Sequence, residues 1–112
     1  MYFNYKVWLV NEENKKFFGI GPVLLLKKIE KLGSLNKAAI EMNMSYSKAA
    51  ILIKNAEKEL SAKLLVRQVG GKDGGGSYIT EEAKELIKKY DEFYVRSGGA
   101  IEKIYNEIFQ GK

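Results

Sequence analysis

Two helical segments lie in the middle of this chain, separated by a break of only a few residues. Ser34 and Ser45 can each cap a helix, because a serine side chain accepts a hydrogen bond from a free N–H of the first turn. Asn43 lies between them and tolerates the left-handed backbone of a tight turn. We predict a short helix over residues 35–41 and a longer one over residues 45–60. This order is typical of a helix-turn-helix.

Signals on both sides extend this unit to a winged helix-turn-helix. Residues 5–18 contain two β-rich runs around a polar turn, which predicts an N-terminal hairpin. Pro22 can open a helix that Gly33 ends. Residues 63–79 predict a second hairpin, the wing, whose tip holds five of the 11 glycines. Thr80 then caps a long final helix.

These elements define the predicted architecture. We expect a mainly α fold with small β (α+β), in which residues 1–79 form a winged helix-turn-helix DNA-binding domain. The helix-turn-helix spans about residues 34–60 and the wing about residues 63–79. Residues 80–112 form a C-terminal dimerisation helix. A length of 112 residues is that of a single domain.

The amino-acid composition excludes most classes of enzyme. The chain has no Cys and no His, which excludes thiolate nucleophiles, histidine bases and Cys/His zinc sites. We therefore predict a protein that is not an enzyme and uses no metal or cofactor. The first residues lack the pattern of a secretory signal, and the densest apolar stretch, Val23–Leu26, is far too short to span a membrane. The expectation is a cytoplasmic protein with no membrane partner.

Charge is distributed unevenly along the chain. The net charge is +5; residues 1–79 carry +6 and residues 80–112 carry −1. A basic domain favours a polyanionic partner, and here double-stranded DNA. Lys48 lies at the positive end of a helix dipole, an unfavourable place for a cation unless an anion binds there. We predict that the second helix of the pair reads DNA through its exposed side: Ser45, Tyr46, Ser47, Lys48, Ile51, Lys54 and Asn55.

A second set of residues is predicted to contact the DNA backbone. Its members are basic or hydroxyl side chains at the helix-turn-helix entrance and in the wing: Ser34, Lys37, Arg67, Lys72 and Ser77. The glycine-rich wing tip could instead bind a nucleotide. It lacks the Gly-Lys-Ser/Thr ending of a phosphate-binding loop, so we favour a wing.

The final helix carries apolar residues at heptad spacing, the pattern of a helix-pairing seam. We predict a homodimer paired through Ile87, Tyr90, Tyr94, Ile101, Ile104 and Ile108. The helix could instead pack back on its own domain. Ser97-Gly98-Gly99 is predicted to kink or interrupt it. The aromatic residues near the start of the chain could form a platform for single strands, but we favour a role in the core: Tyr2, Phe3, Tyr5, Trp8, Phe17 and Phe18.

Several of these motifs together resemble a known family. Gly33-Ser34-Leu35-Asn36-Lys37-Ala38-Ala39 and Leu64-Leu65-Val66-Arg67 resemble the LysR-type winged helix. The run Val69-Gly70-Gly71-Lys72-Asp73-Gly74-Gly75-Gly76 before Ile79-Thr80, with Ser45-Tyr46, is similar to the N-terminal domain of ModE-type molybdate-responsive transcription regulators. The resemblance covers nearly the whole chain and implies a bacterial-type transcription regulator that binds DNA as a homodimer.

The sequence also departs from that family. Full-length members bind molybdate in C-terminal β-barrel domains, and this sequence stops at Lys112 without them. The expectation is therefore that this chain does not bind molybdate. Asp73 stands where the family usually has glycine and adds a negative charge to the wing. That charge motivates an alternative function: a winged-helix interaction module that no longer binds DNA and pairs with another regulator.

Overall fold

The computed structural model describes residues 1–68 and 76–111. Two short hairpins and four helices make up the described part of the chain. They follow in the order β1 (Leu9–Val10), β2 (Lys16–Phe18), α1 (Ile20–Leu32), α2 (Leu35–Glu41), α3 (Tyr46–Leu60), β3 (Leu65–Arg67), β4 (Ser77–Ile79) and α4 (Glu81–Phe109). The predicted α+β winged helix-turn-helix fold is confirmed.

Capping residues place the helix boundaries where local chemistry predicts them. The Ser34, Ser45 and Thr80 side chains each accept a hydrogen bond from a backbone N–H three residues later, at 3.1 Å. Gly33 ends α1 with φ 70°, and Asn43 turns the chain between α2 and α3 with φ 55°. Both φ values lie in the left-handed region, which glycine and asparagine tolerate best. These contacts are local, which is why the sequence reveals them.

One apolar core joins the helices and both hairpins, with α1 at its centre. Leu25, Leu26 and Ile29 of α1 are fully or almost fully buried, as is Phe18 of β2. Ala38 and Ala39 of α2 and Ala49 and Ala56 of α3 are also buried, and their small side chains let these helices approach closely. Among the described residues, every buried side chain is apolar or aromatic. Hydrophobic burial therefore holds the helix-turn-helix together.

The wing hairpin is fixed at its base by residues outside its own strands. β3 and β4 pair antiparallel, with Leu65 opposite Ile79 and Arg67 opposite Ser77. The Glu57 carboxylate of α3 accepts hydrogen bonds from the backbone N–H groups of Leu64 and Leu65, at 2.8 and 3.2 Å. A charged acceptor on two backbone donors is a strong hydrogen-bonding arrangement. It ties the wing directly to α3.

The N-terminal hairpin is shorter than predicted, because the first eight residues leave it and run along α4. β1 contains only Leu9 and Val10. The Tyr90 hydroxyl of α4 donates to the Val7 carbonyl at 2.8 Å, and the Tyr105 hydroxyl donates to the Met1 carbonyl at 2.6 Å. We call residues 1–8 the N-terminal strap. The N-terminal strap therefore packs against α4.

Aromatic stacking fixes the strap. Phe3 lies over the Tyr105 ring at 4.9 Å between centroids, and Tyr5 stacks on Tyr94 at 5.0 Å. The predicted core role holds fully for Phe18 only. Tyr2 and Trp8 are exposed, and Phe3, Tyr5 and Phe17 are half-buried.

The prediction of an interruption at Ser97-Gly98-Gly99 is wrong, since α4 runs continuously from Glu81 to Phe109. The Tyr5 side chain explains Gly98. Its hydroxyl donates to the Tyr94 carbonyl at 2.8 Å, and a Cβ on Gly98 would overlap this phenol and lie 2.8 Å from Tyr5 Cζ. Gly98 thus lets an aromatic ring reach the helix backbone.

Within the described part of the chain, no helix is both long enough and apolar enough to cross a membrane.

Candidate nucleic-acid interface

The exposed side of α3 is the centre of the candidate interface. Ala49, Ile53 and Ala56 of this helix face the core. The opposite side presents Ser47, Lys48, Ile51, Lys54 and Asn55, all exposed. The structure therefore brings these five predicted residues together on one accessible helical face.

The start of α3 is held by the preceding turn. Backbone N–H groups of Asn43 and Met44 donate to the Ile40 and Ala39 carbonyls of α2, both at 3.0 Å. The Ser45 hydroxyl accepts from the Lys48 N–H and so is occupied as a helix cap. The other N–H groups of a first helical turn have no partner within the helix, and the helix dipole there favours an anion.

Tyr46 and Arg67 are brought together although 21 positions separate them in the sequence. Tyr46 is the first residue of α3, and Arg67 is the last residue of β3. The Arg67 guanidinium lies over the Tyr46 ring, with Cζ 5.2 Å from the ring centroid. This is a cation–π contact between the helix and the wing. Both residues are predicted DNA contacts, but no pattern in the sequence predicts that they lie together.

The base of the wing rests on the turn between α1 and α2. The Ser77 N–H donates to the Gly33 carbonyl at 2.9 Å, and the Gln68 N–H donates to the Gly76 carbonyl at 2.8 Å. A Cβ on Gly76 would approach Gly33 O to 3.0 Å, so this junction favours glycine. Ser77 therefore contributes its backbone N–H to this junction. The Ser34 hydroxyl caps α2 by accepting a hydrogen bond from the Lys37 N–H. Lys72, the predicted wing-tip contact, lies outside the described residues.

The predicted basic contacts are not neutralised by described neighbours. Within residues 1–68 and 76–111, the five ion pairs involve other side chains, including Lys27–Asp91 at 2.9 Å and Lys28–Glu41 at 3.1 Å. Lys37, Lys48, Lys54 and Arg67 are exposed and take part in none of these ion pairs. Several unneutralised cations around one helix produce a positive surface potential.

Lys63 is a basic residue at this site that sequence analysis missed. It is exposed and, with Lys54 and Arg67, lines a surface groove between α3 and β3. The position of Lys63 just before β3 could have indicated its role, because a lysine at the base of a wing lies near the neighbouring helix. Only the packing of the hairpin on α3 reveals that the three cations share one groove.

The predicted pairing residues of α4 divide into two groups. Ile87 and Tyr90 are 8% and 4% exposed and are core residues of the same copy. Ile104 and Ile108 are 53% and 68% exposed, Tyr94 is partly exposed, and Ile101 is half-buried. Phe93 is also exposed and adjoins these residues on α4, although the sequence-based prediction did not include it. Any pairing surface therefore comprises the later positions of α4.

Tyrosines at the contact between the strap and α4 have perturbed acidity. Burial raises the pKa of Tyr5 above its ordinary value of 10.0, and the neighbouring Tyr94 phenol acts in the same direction. Burial likewise raises the pKa of Tyr90, with further contributions from Tyr94 and Asp91. In both cases the cause is that a phenolate would lose water and face negative neighbours. These residues belong to the frame of the molecule, not to the basic face of α3.

The sequence that forms the helix-turn-helix and the wing base is similar to known proteins. Residues 23–84 match the family model described as bacterial regulatory helix-turn-helix protein, lysR family. The transcriptional regulator ModE of Haemophilus influenzae is 41% identical over 69 residues, which cover 62% of this chain and 27% of that protein. The DNA-binding transcriptional dual regulator ModE of Escherichia coli is 38% identical over 80 residues, covering 70% and 30% of the two chains. The predicted ModE-type resemblance is confirmed.

A solved structure shares the fold. The crystal structure of ArgP from Mycobacterium tuberculosis aligns with a TM-score of 0.53 at 19% identity, over 74% of this chain and 29% of that chain. This similarity concerns the fold alone. The chain spans about 30% of the length of the ModE protein of Escherichia coli.

Proposed function

The chain belongs to the lysR-type family of bacterial regulatory helix-turn-helix proteins, and from this premise we propose that it is a sequence-specific, DNA-binding transcriptional regulator. The observation that carries the proposal is the exposed face of α3, which presents Lys48, Lys54 and Asn55. The wing residue Arg67 lies over Tyr46 at the start of this helix and lines a groove with Lys54. A helix with such a face fits the major groove, while the wing contacts the adjoining backbone.

The proposal assigns different roles to the two sets of residues. Ser47, Lys48, Ile51 and Asn55 read base edges, whereas Lys37, Arg67 and the wing-tip Lys72 contact phosphates. Base contacts determine sequence preference, and phosphate contacts add affinity that is independent of sequence. Ser34 and Ser45 contribute through the helix starts that they cap.

Selection of genomic fragments by the purified protein tests this function. We expect the bound fragments to share a motif. Lys48→Ala should reduce the preference for that motif over random duplex by about 1–3 kcal/mol, whereas Lys103→Ala, a change in the exposed far half of α4, should leave it unchanged. Bound fragments without a shared motif would contradict sequence-specific regulation.

We further propose that the protein acts as a homodimer paired through the later part of α4. Support comes from the exposed apolar side chains of Phe93, Ile104 and Ile108 on a helix of 29 residues. Exposed apolar side chains at helical spacing are stabilised by burial against a second helix. Sedimentation equilibrium should give twice the chain mass.

Residues 1–112 are proposed to bind DNA without molybdate. In the described part of the chain, no polar side chain is buried, so an oxyanion would find no convergent donors in the interior. Added molybdate should therefore leave both the thermal midpoint and the affinity for DNA of this chain unchanged. An increase in either would overturn this part of the proposal.

The alternative function is an interaction module that pairs through α4 and does not bind DNA. The exposed apolar residues of α4 are compatible with it, and Asp73 of the wing favours it. Binding to random duplex at low salt separates the two functions, because a basic DNA-reading surface binds any duplex under those conditions. Complete absence of binding would favour the interaction module.

A further inference from the structure

The groove between α3 and β3, lined by Lys54, Lys63 and Arg67, has the charge of an anion site. Its side chains carry three positive charges and one negative charge, that of Glu57. The Glu57 carboxylate accepts hydrogen bonds from two backbone N–H groups of the wing base. These hydrogen bonds hold the hairpin against α3. We call this surface the α3–β3 groove.

Arg67 lines this groove, and its guanidinium lies over the Tyr46 ring. A guanidinium over a ring face is positioned by its plane, and the N–H groups along its edge remain directed away from the ring. Those edge donors match the spacing of two phosphate oxygens. Because the Tyr46 ring already restricts the Arg67 side chain, Arg67 loses less rotamer entropy when it binds a phosphate. The contact with the ring leaves the N–H donors of Arg67 available.

We propose that the α3–β3 groove binds a backbone phosphate of the DNA read by α3, with Arg67 as the bidentate contact, Lys63 as a second cation and Tyr46 as the residue that positions Arg67. The inference rests on the proposed DNA-binding function. It changes the predicted role of Tyr46, from a reader of bases to a support for a phosphate contact. It also adds Lys63 to the interface.

Tyrosine variants distinguish these two roles of Tyr46. Tyr46→Phe keeps the ring and should bind as the wild type does, whereas Tyr46→Leu should lose about 2- to 5-fold in affinity, the value of an exposed cation–π contact. The loss should be the same on a selected site and on random duplex. In an Arg67→Gln background, Tyr46→Leu should have no further effect. Arg67→Lys, which keeps the charge but lacks the planar donor edge, should weaken both duplexes alike.

Lys63 is tested by the salt dependence of binding. Lys63→Gln should reduce the slope of log affinity against log salt by about 0.9 for each phosphate that the variant no longer neutralises. The matched control, Lys103→Gln in the far half of α4, should keep the wild-type slope. Far-UV circular dichroism and the thermal midpoint establish that each variant is folded.

Three results would overturn the inference. Equal losses for Tyr46→Phe and Tyr46→Leu, confined to the selected site, would identify Tyr46 as a base reader through its hydroxyl. An unchanged salt slope for Lys63→Gln would remove Lys63 from the set of residues that bind the phosphate. Wild-type protein that binds no duplex at low salt would overturn the proposed function and this inference with it, whereas the first two results leave the proposed function intact.

Discussion

At the scale of single residues, Gly98 and Gly99 are adjacent in α4 but have different physical roles. A Cβ on Gly99 meets nothing within 4 Å, whereas one on Gly98 would overlap the Tyr5 phenol. Glycine inside a helix costs up to about 1 kcal/mol relative to alanine, because it loses more backbone entropy on folding. Only at Gly98 does a contact with the N-terminal strap offset that cost.

This contrast gives the first prediction. Gly99→Ala should raise the free energy of unfolding by up to about 1 kcal/mol, whereas Gly98→Ala should lower it or leave no gain. In a Tyr5→Ala background, Gly98→Ala should become stabilising, because the clash is gone. Chemical denaturation of the four variants measures these values. Stabilisation by Gly98→Ala in the presence of Tyr5 would contradict the packing of Tyr5 against this glycine.

The second prediction concerns the tyrosines whose pKa is raised. A phenol whose folded-state pKa exceeds its unfolded value of 10.0 contributes stability below that pH and loses it as the pH rises through the folded-state pKa. The free energy of unfolding should therefore fall above about pH 10. Tyr90→Phe, which removes one of these phenols, should make the fall shallower. Equal pH profiles for the wild type and Tyr90→Phe would contradict the assignment.

At the scale of elements, α4 changes its role along its length. Its first half supplies Ala83, Ile87 and Tyr90 to the core, and its second half carries the strap on one side and exposed apolar residues on another. A helix of 29 residues is about 43 Å long at 1.5 Å per residue. It therefore extends well beyond the contacts that the core provides.

The third prediction tests the proposed pairing role of this element. Ile104→Asp should dissociate the homodimer, because it places a charge in an apolar interface. Lys103→Asp, a charge change at the neighbouring position on another side of the helix, should not. Sedimentation equilibrium over a range of concentrations measures both. A dimer that persists in Ile104→Asp would exclude this face, while retained helicity would show that the chain itself stays folded.

At the scale of the whole molecule, the described residues form an elongated body with extents of 62 × 29 × 24 Å. The basic α3 face lies in the helix-turn-helix, and the exposed apolar surface lies in the later part of α4. Separate surfaces for DNA and for a second copy are compatible with simultaneous binding. The charge of +6 in residues 1–79 against −1 in residues 80–112 follows the same division.

The fourth prediction follows from the twofold symmetry of such a dimer. Its two α3 helices should read an inverted repeat whose half-sites lie roughly 34 Å, or one turn of DNA, or a multiple of that distance apart. Inserting half a helical turn between the half-sites should weaken binding, since the second α3 helix would then face the wrong side of the duplex. Inserting a full turn is the rotational control. Equal affinity for all spacings would contradict symmetric reading.

The order of the helices and their caps can be predicted from sequence patterns, because each depends on residues a few positions apart. The wing and the family are predicted by longer motifs that also lie in order along the chain. Ser34, Ser45, Thr80, Gly33 and Asn43 all act within one helical turn, and their chemistry can be read directly from the chain.

Which surfaces these helices use depends instead on tertiary packing. Heptad spacing cannot distinguish a seam between two copies from one inside a single copy, and Ile87 and Tyr90 proved to belong to the core. The contact of Tyr5 with Gly98 and that of Arg67 with Tyr46 join residues far apart in the sequence. Such contacts depend on how whole elements pack, and no local pattern encodes them.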